Sequence, residues 1–253
     1  MGVKSIVAGS VVTVMLVVRA SSLGGAAVSG LDRLSQRFDH LRVIDGASGG
    51  RRVAYADARG HVHVYRYDSG KPVLAWETTT LGSPASGLFV EDVEKDGTVE
   101  LVVTTADGRI LFFDADSYEL VWDNRDDPFD NIRCVLIEDI DRDPQREIVF
   151  VTGAYLVVFD SVTKVVEWRS EGFSEVREMV VGNVDDDEQQ ELVLSSGVVI
   201  DTQHHGVEFE SEEPFGDRID LLDLTGDGVS EVIGEGSDSK LRVFDVHRAR
   251  ELW

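Results

Sequence analysis

The chain has 253 residues, with 48 acidic against 24 basic side chains and a formal net charge of −24. That balance excludes a nucleic-acid partner, because a phosphate backbone needs a basic face. The single cysteine, Cys134, excludes an intrachain disulfide, leaves the redox compartment open, and reads as a buried inert thiol in a strand.

Residues 1–29 differ from the rest. Lys4 precedes an apolar run from Ile6 to Val18, and small residues follow, with cleavage expected near Ala26 or Ser29. This is the layout of a secretory signal, with an uncleaved anchor or an ordinary N-terminal strand as the alternatives. The run is shorter than the ~20 residues a spanning helix needs, so no membrane span is expected in the mature chain. Residues 30–40 read as a connector. The expected location is secreted, periplasmic or at the cell surface.

From residue 41 onward one unit recurs. Asp68, Asp114, Asp160, Asp201 and Asp245 each stand eight residues before Trp76, Trp122, Trp168, Phe209 and Trp253, which include all 4 tryptophans. A repeat of ~40–50 residues points to propeller blades or a solenoid. Within the second copy the strands are Leu88–Glu91, Glu100–Thr105, Arg109–Phe113 and Glu119–Trp122, bounded by Asp, Gly and Ser turns. The third copy repeats this with Glu147–Thr152, Tyr155–Phe159 and Val165–Trp168. The fourth has Glu191–Ser195, Val198–Ile200 and Val207–Phe209; the fifth has Glu231–Ile233, Leu241–Phe244 and Glu251–Trp253. A first, degenerate copy holds Arg52–Tyr55 and His61–Tyr65. The expected fold is all-β, a β-propeller of about five four-stranded antiparallel blades, alone or within a larger ring. Its repeats are 41–87, 88–131, 132–176, 177–217 and 218–253. A lone sheet cannot bury both faces, so the repeated aromatics are expected between blades.

The loop after each first strand places acids at positions 1, 3, 5 and 9. The sets are Asp92, Glu94, Asp96 and Glu100; Asp139, Asp141, Asp143 and Glu147; Asn183, Asp185, Asp187 and Glu191; Asp223, Thr225, Asp227 and Glu231. Alternating oxygens in a tight loop suit Ca²⁺, which takes six to eight of them. Position 7 (Thr98, Gln145, Gln189 or Val229) would add a backbone carbonyl. Gly97 and Gly228 supply the turn glycine at position 6; Pro144 and Glu188 replace it in the third and fourth loops. The competing reading is a set of solvated turns in which Asp and Asn cap their own backbone.

The stretch Asp-Leu-Thr-Gly-Asp-Gly-Val-Ser-Glu-Val-Ile at 223–233 resembles the FG-GAP/VCBS-type repeats of integrin-alpha-like propellers. The segment from Val243 to Trp253 is similar to blades of quinoprotein-like (PQQ-type) propellers. The resemblance implies a propeller, structural calcium in the acidic loops, and an adhesion, scaffold or assembly role.

No catalytic constellation is legible. There is no nucleophile elbow and no phosphate-binding loop. His61 and His63 alternate on a strand as a candidate metal pair or a plain blade surface, and His204-His205 reads as a solvated turn. The leading expectation is a non-enzymatic, calcium-stiffened propeller that engages a protein partner. The alternatives are a propeller-fold polysaccharide lyase or glycosidase, and a structural subunit of an envelope complex.

Overall fold

The computed structural model describes residues 40–45, 50–187, 189–236 and 238–253. The expected signal and nearly all of the connector lie outside these residues. Among these described residues twenty strands form five four-stranded antiparallel sheets, each with its strands in chain order. The first sheet holds β1 (Leu41–Asp45), β2 (Arg51–Ala56), β3 (Val62–Asp68) and β4 (Lys71–Glu77). The second holds β5 (Ala85–Glu91), β6 (Glu100–Thr105), β7 (Ile110–Asp114) and β8 (Leu120–Asp123). The third holds β9 (Arg133–Glu138), β10 (Glu147–Thr152), β11 (Tyr155–Asp160) and β12 (Val166–Glu171). The fourth holds β13 (Met179–Gly182), β14 (Glu191–Leu194), β15 (Val198–Asp201) and β16 (Val207–Glu210). The fifth holds β17 (Arg218–Leu222), β18 (Glu231–Glu235), β19 (Leu241–Asp245) and β20 (Arg250–Glu251). Among the described residues no helix is long and apolar enough to cross a membrane.

The sheets are the blades of a β-propeller. Their first strands lie side by side in the order β1, β5, β9, β13, β17, and among the described residues no contact of comparable extent joins β17 back to β1. The middle strands β6 and β10 are buried along their whole length. Their near-continuous apolar sequence follows from this, since both faces are covered. In β10, Ile148 and Phe150 pack toward the second blade, while Val149 and Val151 pack toward the fourth. Each such side chain taken out of water contributes about 1.5–3 kcal/mol.

The spacing from Asp to aromatic has a local cause. Asp114 Oδ1 accepts the N–H groups of Asp116 (3.0 Å) and Ser117 (2.6 Å), closing the turn into the fourth strand. Asp160 does the same for Val162 and Thr163, Asp201 for His204, and Asp245 for Arg248. Four residues after each Asp comes a left-handed residue: Tyr118, Lys164, His205 and Ala249. Then the strand runs out to the aromatic. Trp122, Trp168 and Phe209 lie opposite Phe112, Val158 and Val199 in register.

The first blade is built differently. Trp76 lies opposite Val64, and Asp68 pairs with Lys71 across a two-residue turn. Arg66 therefore occupies the place of Asp114, and the distance from Asp68 to Trp76 matches the other copies without sharing their turn.

Four of the five aromatics reach the following blade. Trp76 meets Phe113 (5.3 Å) and stacks on Tyr118 (5.0 Å). Trp122 meets Phe159, Trp168 stacks on His205, and Phe209 meets Phe244. Trp253 departs from the expectation of inter-blade core: it is 65% exposed, because no sixth sheet lies beyond β17–β20 among the described residues.

Candidate metal centre

The four acidic loops share one frame. The position-9 glutamates Glu100, Glu147, Glu191 and Glu231 open the second strand of each blade and are buried. One oxygen of each accepts the N–H at position 2: Val93 (3.0 Å), Ile140 (2.8 Å), Val184 (2.8 Å) and Leu224 (2.7 Å). The glutamate thus staples its loop, a role that spacing alone does not reveal. In the first blade Arg52 stands at this register, and its guanidinium lies 2.6 Å from Asp116 and 2.7 Å from the Tyr118 hydroxyl.

Position 5 also faces the backbone. Asp96, Asp143, Asp187 and Asp227 accept the N–H of Thr98, Gln145, Gln189 and Val229. Position 1 caps likewise: Asp92 accepts Asp96 and Gly97, Asp139 accepts Arg142, and Asp223 accepts Gly226 and Gly228. These are the self-capping turns of the competing reading. An ionised carboxylate has about four acceptor positions, so a cap leaves room for a cation. Sharp turning also occurs at position 4, where Lys95, Arg142 and Gly226 have positive φ. Pro144 at position 6 is therefore compatible with a closed third loop.

The loops differ in what surrounds them. In the third, one oxygen each from Asp139, Asp141 and Glu147 converges within 4.8 Å. In the fourth, Asp185 and Glu191 converge within 4.8 Å on Glu208, which comes from β16 rather than from the loop. Three further features mark this fourth site. Glu191 is fully buried, its Oε1 has no hydrogen-bond partner, and Asn183 Oδ1 and Gln189 Oε1 are likewise buried without one. Asn183 is oriented by its amide, which donates to the Asp187 carbonyl at 2.7 Å. A buried oxygen left unpaired costs about 1–3 kcal/mol, and a cation would satisfy several at once.

The second and fifth loops receive a basic side chain instead. Lys164, on the hairpin of the third blade, reaches back to Glu94 at 2.5 Å and donates to the Ser161 carbonyl. Its ammonium also lies 3.5 Å from the Phe112 ring centroid. Arg248 bridges Asp227 (3.1 Å) and Asp245 (3.0 Å). Among the described residues, Asp92, Glu94, Asp96 and Glu100 form no converging carboxylate group, and neither do Asp223, Asp227 and Glu231.

Electrostatics follow this arrangement. Burial, aided by neighbouring carboxylates, pushes Glu100, Glu147 and Glu191 up to about 7. Burial and then Asp185 raise Glu208; burial and then Asp141 raise Glu167 on β12. Between pH 4.5 and about 7 the folded chain holds protons at these glutamates that the unfolded chain has released. Stability therefore falls as pH rises through that window. In the presence of EDTA, the urea midpoint is expected to be lower at pH 7.5 than at pH 5; equal midpoints would contradict this.

The remaining candidates lie elsewhere. His61 and His63 flank Asp57, at 3.6 and 3.2 Å, and His63 also lies 3.3 Å from Glu77. His204 is exposed, but the expected solvated pair is half wrong: His205 is partly buried and stacks on Trp168 at 4.8 Å. Cys134 is half-buried at an irregularity between β9 and β10, with its Sγ 3.2 Å from the Val176 carbonyl. Burial raises its pKa, in keeping with an unreactive thiol. A cleft of about 650 Å³ opens beside Trp122, Phe129, Tyr155 and Arg169, at the fourth strands rather than at the centre of the blades.

No family model and no curated protein matches the chain. Solved β-propellers do. The structure of Saccharomyces cerevisiae Sqt1 superposes with a TM-score of 0.59 at 12% identity, covering 80% of this chain and 57% of that one. BBS1N, solved in complex with ARL6DN, gives 0.60 at 12% identity, covering 85% and 67%. BamB from Moraxella catarrhalis gives 0.54 at 17% identity, covering 83% and 59%. The chain thus spans between 57% and 67% of the length of these propellers, and the likeness is one of fold.

Proposed function

We propose that this chain is a non-enzymatic propeller scaffold that works outside the cytoplasm, binds Ca²⁺ in its acidic loops and engages a protein partner. The observation that carries the cation is Glu191, a fully buried carboxylate that has one unpartnered oxygen and converges within 4.8 Å with Asp185 and Glu208. The third loop is the second site, through Asp139, Asp141 and Glu147. The second and fifth loops carry Lys164 and Arg248 as internal countercharges and have less need of metal. Calcium at such seams is structural: a ligand that binds only the folded state stabilises it by about 2.7 kcal/mol at a hundredfold excess over Kd.

The signal-like residues 1–29 support export, and blades that hold their loops rigid suit protein recognition. BBS1N, a propeller of similar fold, was solved bound to a protein. The glycan-cleaving alternative needs tryptophans open to substrate, whereas Trp76 and Trp168 pack against the buried clusters between blades. Thermal melting tests the reading. Tm is expected to rise with Ca²⁺, to return with EDTA, and to lose the fourth loop's share of its response in Asp185→Asn and Glu208→Gln. A Tm indifferent to calcium in the unaltered chain would overturn the metal, and native purification that recovers the chain without any bound protein would count against the partner.

A further inference from the structure

Two of the linkers between blades read acid-acid-Pro-Phe: Asp126-Asp127-Pro128-Phe129 after the second blade and Glu212-Glu213-Pro214-Phe215 after the fourth. Each walls a cleft against the blade that follows, of about 650 Å³ at the first and about 200 Å³ at the second. The difference traces to one register, three residues after the buried glutamate of the second strand. In the fifth blade this is Gly234, opposite Arg242, and an added Cβ would stand 2.0 Å from the Phe215 carbonyl oxygen. In the third blade it is Phe150, opposite Val157, and its ring meets Phe129 at 4.8 Å. The linker closes down on a glycine and stands off a phenyl ring.

The smaller cleft holds a cation from its own chain. Arg242 lines it, and its guanidinium lies 2.8 Å from Glu213, the acid just before the proline. In the wider cleft the matching acid is Asp127 and the matching strand residue is the buried Val157, so no such side chain arrives.

The lining of the wider cleft suits a cation from outside. Lys164 is committed to Glu94, and Asp123 to Arg109 and Arg125. Asp126, Asp127 and Asp130 form no ion pair with a described residue, and the one basic group left beside them is Arg169. The rings already attract cations: Arg169 lies 3.5 Å over Tyr155, and Lys164 lies 5.5 Å from Trp122. Arg and Lys stems cover apolar surface while their heads stay in water. Val165 and Val166, 53% and 41% exposed, add apolar lining for a neighbouring side chain.

We propose that the cleft between the second and third blades docks a basic peptide segment of a protein partner. An Arg or Lys stem lies against Trp122 and Phe129 with its head at Asp126, Asp127 and Asp130, and an adjoining apolar side chain covers Val165 and Val166. This rests on the partner reading above and gives that partner a chemistry. The net charge of −24 draws in any cation; the rings and valines are what select.

The test is fluorescence anisotropy of two labelled peptides, Val-Arg-Val-Arg-Val and Gly-Arg-Gly-Arg-Gly, titrated with the full chain. The unaltered chain is expected to bind the valine peptide more tightly than the glycine peptide. Asp126→Asn, Asp127→Asn and Asp130→Asn combined should weaken this roughly tenfold, the scale of three exposed ion pairs. Val165→Lys, which sets a like charge on the blade side of the cleft, should weaken it too. Asp68→Asn, Glu175→Gln and Asp220→Asn combined make the same change in net charge outside the cleft and should leave binding unchanged. All the substituted residues are exposed, so the fold is retained, which circular dichroism checks. No binding by the unaltered chain, equal binding of the two peptides, or equal losses in the two triple variants would each overturn the proposal. Native purification separates this from the partner reading. A bound protein retained equally by the unaltered chain and by the cleft triple variant would overturn the cleft and leave the partner in place.

Discussion

Phe150→Ala is expected to destabilise the chain by about 3–5 kcal/mol, the usual cost of removing a buried phenyl ring. Phe150 has no solvent exposure and sits in β10, hydrogen-bonded between β9 and β11. Its ring meets Phe129 edge to face at 4.8 Å, within a cluster that joins the second and third blades. The neighbouring strands fix the backbone on both sides, so the cavity cannot collapse. Edge-to-face aromatic contacts add about 0.5–1.5 kcal/mol beyond the buried area. Urea denaturation measures the loss, with exposed Val162→Ala as a control expected within about 0.5 kcal/mol of the unaltered chain. A loss of less than about 1 kcal/mol at Phe150 would mean that the seam between these blades is loose.

Gly108→Ala is the second large effect. Gly108 has φ +96°, and an added Cβ would lie 1.8 Å from the Phe129 carbonyl oxygen. The backbone there makes a close crossing: the linker to the third blade passes over the hairpin, and Phe129 N–H donates to the Gly108 carbonyl at 3.0 Å. The conformation alone costs a side chain about 1–3 kcal/mol, and displacement of the linker adds to that. Gly70 separates the two terms. It has φ +84°, and a Cβ added there would meet nothing within 4 Å. Asn tolerates positive φ, so Gly70→Asn is expected to be mild and Gly108→Asn severe. Equal urea midpoints for these two variants would show that the crossing has no steric part.

Both effects bear on what the amino-acid order reveals. The turn Ala106-Asp107-Gly108 is readable as a turn, because left-handed geometry and a tight hairpin are local demands. That the same glycine admits the Phe129 carbonyl is not readable, because the linker arrives from twenty residues further on. The strands read from the second to fifth copies agree to within a few residues, from alternation and from bounding Asp and Gly, while β9, β13 and β17 were not delimited. The first copy misled at one point: Asp68 keeps the eight-residue interval to Trp76 while making a different turn.

The acidic loops show the same division. Spacing picked out the carboxylates within each loop but not Glu208, and glycine at position 6 favoured the second and fifth loops. The structure instead brings carboxylates together in the third and fourth. Lys164 approaches Glu94 from seventy positions away, and Glu208 joins Glu191 from the far strand of its blade. His205 likewise became a stacking partner of Trp168, although its own neighbourhood in sequence is polar.

Sequence by itself determined the period, the strands and the turns, because those answer to steric and patterning rules that act within a few residues. Tertiary structure decided which carboxylates share a site, which receive a countercharge, and which aromatic is left bare, because each depends on the neighbouring blade. Charge and burial act through space, and the chain places side by side residues that the sequence keeps far apart.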